Sequence, residues 1–291
     1  MSLLNIIILG IVQGLAELLP VSSSAHVVVA EKLMGLDPSS PPMTLLLVML
    51  HTGTMFAVIV YFWRPWRRDY FHSLPVFRKF AVSVVLATAL TAIIGGGLYV
   101  LIEHTLFRGR PHAQIEDLFG RLDLIAPALA AAGILILVAG LLERRRPARR
   151  ADEPAEDLDT AHAGIIGAVQ GLSLPFRGFS RSGATISAGM LLGVAKVRAE
   201  IFSFALAVVL TPPVVARELL RLYHPPSGVA VGADLSAILV RTLFGALVAF
   251  LAGLLALKWL SRWLERGRWH LFGIYCLAVA IGVALLHHAG Y

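Results

Sequence analysis

Near the N-terminus, Gln13 to His26 read QGLAELLPVSSSAH, between the apolar runs LLNIIILGIV and VVVA. This stretch holds a carboxylate (Glu17), three hydroxyls (Ser22, Ser23, Ser24) and an imidazole (His26). Gln13 and Glu17 are four residues apart and share one face of a helix, as do Ser23 and His26 at a spacing of three. Pro20 stands between the pairs and ends the incoming helix, since its ring clashes with the preceding turn and it has no N–H. The serines suit the start of the next helix, where a hydroxyl satisfies free backbone N–H groups. Those N–H groups and the helix dipole also attract an anion such as phosphate. Ser23 as a nucleophile with His26 as its general base or acid is one chemistry this pattern supports. Water attack, with Ser23 only binding phosphate, is the other.

A second stretch, Leu174 to Thr185, reads LPFRGFSRSGAT. Pro175 breaks a helix, and Gly178 and Gly183 permit tight backbone. Ser180 and Ser182 supply hydroxyls, and Arg177 and Arg181 supply charge. An arginine at the bilayer centre costs about 2.5–3.5 kcal/mol on insertion scales, so two so close together need a reason. A phosphate gives guanidinium a bidentate partner. Each feature also has a plainer reading. Ser22–Ser24 suit an ordinary helix cap, Glu17 suits a structural ion pair with Arg181, and His26 suits a buried, hydrogen-bonded histidine. His51, in MLHTG, fits packing as well as catalysis, and Glu200 fits a helix cap or a pair with Lys196.

The elements that carry these stretches lie in a membrane. The 291 residues are 57% hydrophobic and only 15% charged, against about a quarter charged in soluble chains. Mean hydropathy is +0.78. Six segments read as spans: 44–63, 80–102, 122–142, 200–219, 236–260 and 270–289. Residues 3–36 and 162–196 are each two shorter apolar pieces broken by proline and serine, and read as re-entrant helical hairpins. No lysine or arginine precedes Lys32, so a cleaved signal peptide is not expected. The single cysteine, Cys276, excludes an internal disulfide. The net charge of +7 comes from basic residues clustered between spans, which sets orientation and excludes nucleic acid as the partner it suggests. Residues 64–79, 143–150 and 258–268 are the basic loops (Arg64, Arg67, Arg68, Arg78 and Lys79 in the first), and are expected in the cytoplasm, with both termini outside. Residues 144–160, charged and proline-containing, form a linker between two halves.

Those halves resemble each other. Ile8–Leu15 (ILGIVQGL) and Ile165–Leu172 (IIGAVQGL) match at six of eight positions, and the same offset of 157 brings Ser23 onto Ser180. With the charge-derived orientation this predicts an all-α integral membrane domain over 1–291: residues 1–143 and 161–291 form an inverted repeat, each a hairpin plus three spans.

The two motifs resemble those of the undecaprenyl-diphosphatase, or bacitracin-resistance, family. The first carries Gln13, Glu17, Pro20-Val21-Ser22-Ser23 and His26; the second carries Gly178, Ser180-Arg181-Ser182-Gly183 and Thr185. The resemblance implies hydrolysis of undecaprenyl diphosphate to the monophosphate, recycling the lipid carrier for wall polymers, in the bacterial inner membrane with the site facing outward. It implies Glu17, Ser23, His26 and Arg181 as catalytic, and Ser22, Ser24, Arg177, Ser180, Ser182 and Thr185 as phosphate-binding. It further implies a divalent cation, Mg²⁺ or Ca²⁺, at Gln13 and Glu17, and a polyprenyl diphosphate among membrane lipids as the partner. A homodimer is compatible with it. Arg177 replaces the family's usual proline, and Ala25 the glycine often found before the histidine. Inverted repeats with broken helices also build transporters, so a lipid-phosphate flippase or small-anion carrier is the alternative.

Overall fold

The computed structural model describes residues 2–37, 41–106, 118–145, 158–223, 235–265 and 268–291. Ten α-helices and no strand occur among them. They are α1 (Leu3–Leu18), α2 (Ser23–Leu33), α3 (Pro41–Asp69), α4 (Leu74–Leu106), α5 (Leu122–Arg145), α6 (Thr160–Ser173), α7 (Arg181–Leu191), α8 (Lys196–Tyr223), α9 (Leu235–Glu265) and α10 (Trp269–His288). Six of these, α3, α4, α5, α8, α9 and α10, are long and apolar enough to cross a membrane. They coincide with the six predicted spans. Most of the linker, with Arg146, Arg149 and Arg150, lies outside the described residues.

The four short helices each start on a capping side chain. Ser2 accepts from Asn5 N, Ser22 from Ala25 N, Asp159 from His162 N and Ser180 from Gly183 N. At 1.5 Å per residue the longest, α1 with 16 residues, reaches about 24 Å, short of a hydrocarbon core of about 30 Å. The basic stretch 64–79 is mostly helix rather than loop. α3 runs on through Pro65 to Asp69, and α4 starts at Leu74 with Arg78 and Lys79 near its start, so only 70–73 form the turn. Pro65 lies close enough to the end of α3 that its missing N–H breaks little of the ladder.

Where α4 meets its neighbour it does so through small residues and turns branched aliphatics outward, the pattern that lipid favours. α1 packs on α9, α6 on α4, and α5 on α10, while α3 touches both α8 and α9. On α4 the buried residues are Ser83, Ala87, Thr91 and Gly95, one helical seam, whereas Val85 and Ile93 on its other side are 67% and 68% exposed. That seam receives α6. The Thr91 hydroxyl donates to Gly167 O at 2.9 Å, and Gln170 Nε2 donates to Thr91 Oγ1 at 3.1 Å. A Cβ at Gly167 would stand 2.3 Å from Ala87 O, and one at Gly14 would stand 2.7 Å from Ala249 O. The glycines of the two matching octapeptides are thus points of close helix approach.

Gly167→Ala is expected to force α6 off α4 and to lower the midpoint of thermal unfolding in detergent by several degrees, as overpacking costs about 1–3 kcal/mol. Gly97→Ala is the control, because nothing lies within 4 Å of a Cβ there. Equal midpoints for the two variants would contradict this packing.

Candidate active site

The gap between α1 and α2 and the gap between α6 and α7 face each other. Leu19 is extended, Val21 N donates back to Leu19 O at 2.8 Å, and Ser22 turns the chain with φ 66° and ψ 90°. Ser22 is the one non-glycine with positive φ among the described residues. Such a conformation costs about 1–3 kcal/mol and persists only where the surroundings enforce it. Here it directs Ser23 toward α1. On the other side Gly178 has φ +98°, and a Cβ there would stand 2.5 Å from Ile125 O, so α5 leaves room only for glycine. Gly178 N donates to Ser24 Oγ at 3.2 Å, which joins the two tips.

The stronger join is ionic. Arg181 Nη2 donates to Glu17 Oε1 at 2.5 Å, across 164 residues of sequence. Glu17 Oε2 accepts from the Ser23 hydroxyl at 2.5 Å and from Gln13 Nε2 at 3.1 Å, and lies 3.4 Å from His51 Nε2. The Glu17 side chain is only 11% exposed, so its charge is held almost wholly by protein groups. Around it lies a cavity of about 340 Å³. Gln13, Glu17, Ser22, Ser23, Ser24, His51, Arg177, Ser180, Arg181 and Ser182 give its polar wall; α3 and α8 give an apolar one that includes Val48, Val58, Phe204 and Val208. A charged head with an apolar tail matches that division.

Nine of the predicted site residues, Gln13, Glu17, Ser22, Ser23, Ser24, Arg177, Ser180, Arg181 and Ser182, line this cavity, as does the undecided His51. Two do not. Thr185 is buried, and its hydroxyl bonds Arg181 O at 2.9 Å and Ser203 Oγ at 2.6 Å, which pins α7 to α8. His26 turns to α10. Its Nδ1 lies 2.8 Å from Ser22 O and its Nε2 lies 2.8 Å from the Tyr275 hydroxyl, with the rings nearly parallel. A carbonyl only accepts, so Nδ1 carries the hydrogen and the Tyr275 hydroxyl donates to Nε2. Both ring nitrogens are engaged, and the Ser23 hydroxyl goes to Glu17 instead. The spacing of three does put Ser23 and His26 on neighbouring faces, but Ser23 opens α2 and follows the Ser22 turn toward α1.

Arg177 stacks 4.0 Å over the Phe119 ring and acts electrostatically on Glu31, a fully buried carboxylate neither of whose oxygens has a hydrogen-bond partner among the described residues. Sequence reading passed over Glu31, Tyr275 and the nearness of His51 to Glu17. Tyr275 had no local signal, since it lies 249 residues from His26. Glu200 is buried with one carboxylate oxygen unpartnered among the described residues, and Lys196, one turn earlier, acts on it electrostatically.

A divalent cation can be tested against these side chains. No group of three or more His, Cys, Asp or Glu able to hold a metal occurs among the described residues. Gln13 Oε1, however, is buried with no hydrogen-bond partner among the described residues. It and Glu17 are hard oxygen donors one turn apart, the type that Mg²⁺ and Ca²⁺ take, and two protein donors would leave most of a shell to be supplied by phosphate or water.

The fold and the cavity define a multi-pass membrane protein with a partly polar cavity between the tips of two broken helical pairs. The chain matches the family described as bacitracin resistance protein BacA over residues 6–282. It is 57% identical to undecaprenyl-diphosphatase 2 of Acinetobacter baylyi over 98% of both chains. It is 34% identical to the undecaprenyl-diphosphatase of Desulfosudis oleivorans over 96% of both, and 30% identical to that of Korarchaeum cryptofilum over 98% of this chain and 99% of the relative. The chain belongs to the BacA family.

Ser22→Gly is expected to raise thermal stability in detergent by about 1 kcal/mol, because relieving the positive φ outweighs the few tenths lost with the cap. Gly178→Ala is expected to lower it. A less stable Ser22→Gly chain would mean that Ser22 is not strained.

Proposed function

We propose that this protein is a membrane-embedded phosphatase that hydrolyses undecaprenyl diphosphate to undecaprenyl phosphate and inorganic phosphate. The names of its relatives give the substrate, and the product would return as lipid carrier for cell-wall synthesis. One observation carries the chemistry: a serine hydroxyl donates to a buried carboxylate that an arginine from the opposite tip neutralises. A transporter has use for Arg181 and the helix starts, but not for a hydroxyl primed by a carboxylate.

In this reading Ser23 Oγ attacks the terminal phosphorus, and its proton passes to Glu17 Oε2. The bond from that phosphorus to the bridging oxygen breaks, and the electron pair leaves with the lipid phosphate. Water then attacks the phosphoserine and releases inorganic phosphate. Arg181, the Ser180 and Ser182 hydroxyls and the backbone N–H groups at the start of α7 stabilise the charge that spreads over the transferring group. Glu17 holds Arg181 in place for this, and Arg177 adds charge at the rim. His26 acts at one remove: with Tyr275 it anchors the Ser22 carbonyl and so keeps the strained turn. Mg²⁺ or Ca²⁺, held by Gln13 and Glu17, would neutralise phosphate charge.

The finer architecture belongs to the same reading. The two short helical pairs are re-entrant hairpins of an inverted repeat. The parallel pairings of α1 with α9 and of α6 with α4, each closed on glycines at equivalent places, support this. The membrane is the bacterial inner membrane, with residues 64–79 in the cytoplasm and the first hairpin and the cavity mouth outside. The function needs one chain, and a homodimer is compatible with it.

Phosphate release by purified protein in detergent tests the activity. Ser23→Ala is expected to abolish turnover while product binding persists, and Arg181→Ala to lose at least about 100-fold. Arg181→Lys should be nearly as poor, since a point charge cannot replace the guanidinium fork. A Ser23→Ala enzyme with a measurable rate and a raised KM would assign Ser23 to binding and the attack to water. For orientation, His72→Cys in a Cys276→Ala background should resist an impermeant thiol reagent in intact cells, whereas Ser2→Cys should react.

A further inference from the structure

Glu31 is a buried carboxylate that the mechanism does not use. It lies on α2, fully buried, and neither of its oxygens has a hydrogen-bond partner among the described residues. A charge removed from water in this way is costly unless an opposite charge compensates it. Two charges act on it: Arg177 and, with like sign, Asp37. Glu31 stands two turns beyond Ser24 on the same face of α2. Ser24 Oγ accepts from Gly178 N, the residue next to Arg177, at 3.2 Å. The face of α2 that meets the second tip therefore carries Glu31 as well. Arg177 is also held by an aromatic face, with its guanidinium 4.0 Å from the centre of the Phe119 ring. Arg177 and Phe119 line the cavity and Glu31 does not, so the carboxylate stands behind the wall that the arginine forms.

We propose that Arg177, stacked on Phe119, is the subsite for the phosphate that stays on the lipid, and that Glu31 offsets its charge so that the lipid phosphate can leave. This rests on the phosphatase reading and adds to it the place of the second phosphate. The carboxylate and guanidinium groups of the cavity wall are Glu17, Arg177 and Arg181. Glu17 binds Arg181 and takes the hydroxyl of Ser23, so the terminal phosphate belongs with Ser23 and Arg181. Arg177, four residues earlier and across Ser180, remains for the other phosphate. When the anhydride bond breaks, its electron pair moves onto that phosphate, so negative charge grows where Arg177 stands. After cleavage the same attraction would retain the product. A carboxylate behind the arginine weakens the attraction. It does so without taking up guanidinium N–H groups, since the Glu31 oxygens accept none.

The pair also gives a physical reason for the departure at position 177. A proline there brings no charge, and a buried Glu31 behind it would lack the counter-charge that Arg177 supplies. The arginine and the carboxylate therefore belong together in this chain. Arg177 is fixed on its C-terminal side too, because α5 leaves room only for glycine at Gly178.

The test uses the full chain in detergent, with undecaprenyl diphosphate as substrate and two product inhibitors that separate the subsites. Inorganic phosphate reports the terminal site, and undecaprenyl phosphate the lipid-side one. Arg177→Gln is expected to raise the inhibition constant of undecaprenyl phosphate about tenfold and to leave that of inorganic phosphate within about twofold. Glu31→Gln is expected to lower the constant of undecaprenyl phosphate about threefold, and to change nothing in an Arg177→Gln background. Equal shifts for the two inhibitors in Arg177→Gln, or no shift, would overturn the subsite. Unchanged or weaker binding of undecaprenyl phosphate in Glu31→Gln would overturn the offset. Should Glu31→Gln fail to fold alone, the double variant decides: folding restored by Arg177→Gln supports the pair, and a double variant that also fails overturns it. Wild-type protein that releases no phosphate would overturn the phosphatase reading itself. The subsite would then still be read from how far the same two ligands raise the midpoint of thermal unfolding in wild type and in Arg177→Gln.

Discussion

A single carboxylate, buried where two broken helical pairs meet, is the constraint on which the rest of this structure depends. Removing a charge from water costs several kcal/mol, and a partner repays this only with good geometry and with the remaining lone pairs filled. Glu17 meets both conditions: Arg181 takes one oxygen, and Ser23 and Gln13 donate to the other. The arginine has the same need, since alone at this depth it would be equally costly. Neither tip is therefore satisfied without the other. The pair sets their register, and the Ser24 to Gly178 bond fixes the approach.

The membrane explains why the tips are built as they are. Four backbone groups are left unpaired at each helix end, and lipid offers no water to satisfy them. Capping serines at 22 and 180 answer part of the need in protein. The free N–H groups that remain make a ready site for phosphate. α5 and α10 support both tips from one side, with Cys276 Sγ 3.5 Å from Pro20 O and Trp269 Nε1 donating to Ser187 at 3.1 Å. The same helices that pack the fold through glycine and alanine thus hold the strained turn at Ser22 in place.

Much of this was legible in the sequence, for reasons that differ by residue. The six spans follow from apolar runs alone, and the breaks at Pro20 and Pro175 follow from proline's missing N–H. The Glu17–Arg181 pair was readable as one of two meanings, because two costly charges in an apolar chain must find each other or a ligand. Their side-chain bond satisfies one meaning without excluding the other. The orientation of His26 was not legible. Helical spacing gives the face a residue occupies, but Ser22's positive φ rotates the start of α2, and Tyr275 lies 249 residues away. Thr185 looked like a ligand because it sits in a motif, yet its hydroxyl is spent on Ser203 of α8. The stretch at 64–79 looked like a loop because it is charged and contains Pro65, while helix continues where proline falls near its end.

The central claim is that Glu17 and Arg181 act as one unit that joins the tips and makes the site. A double-mutant cycle on phosphate release measures this most directly. Glu17→Gln and Arg181→Gln are each predicted to lose at least about 100-fold, and the double variant to be no worse than the poorer single one, as for residues that act together. Losses that multiply, to about 10,000-fold in the double variant, would mean that the two side chains contribute independently and would contradict the account.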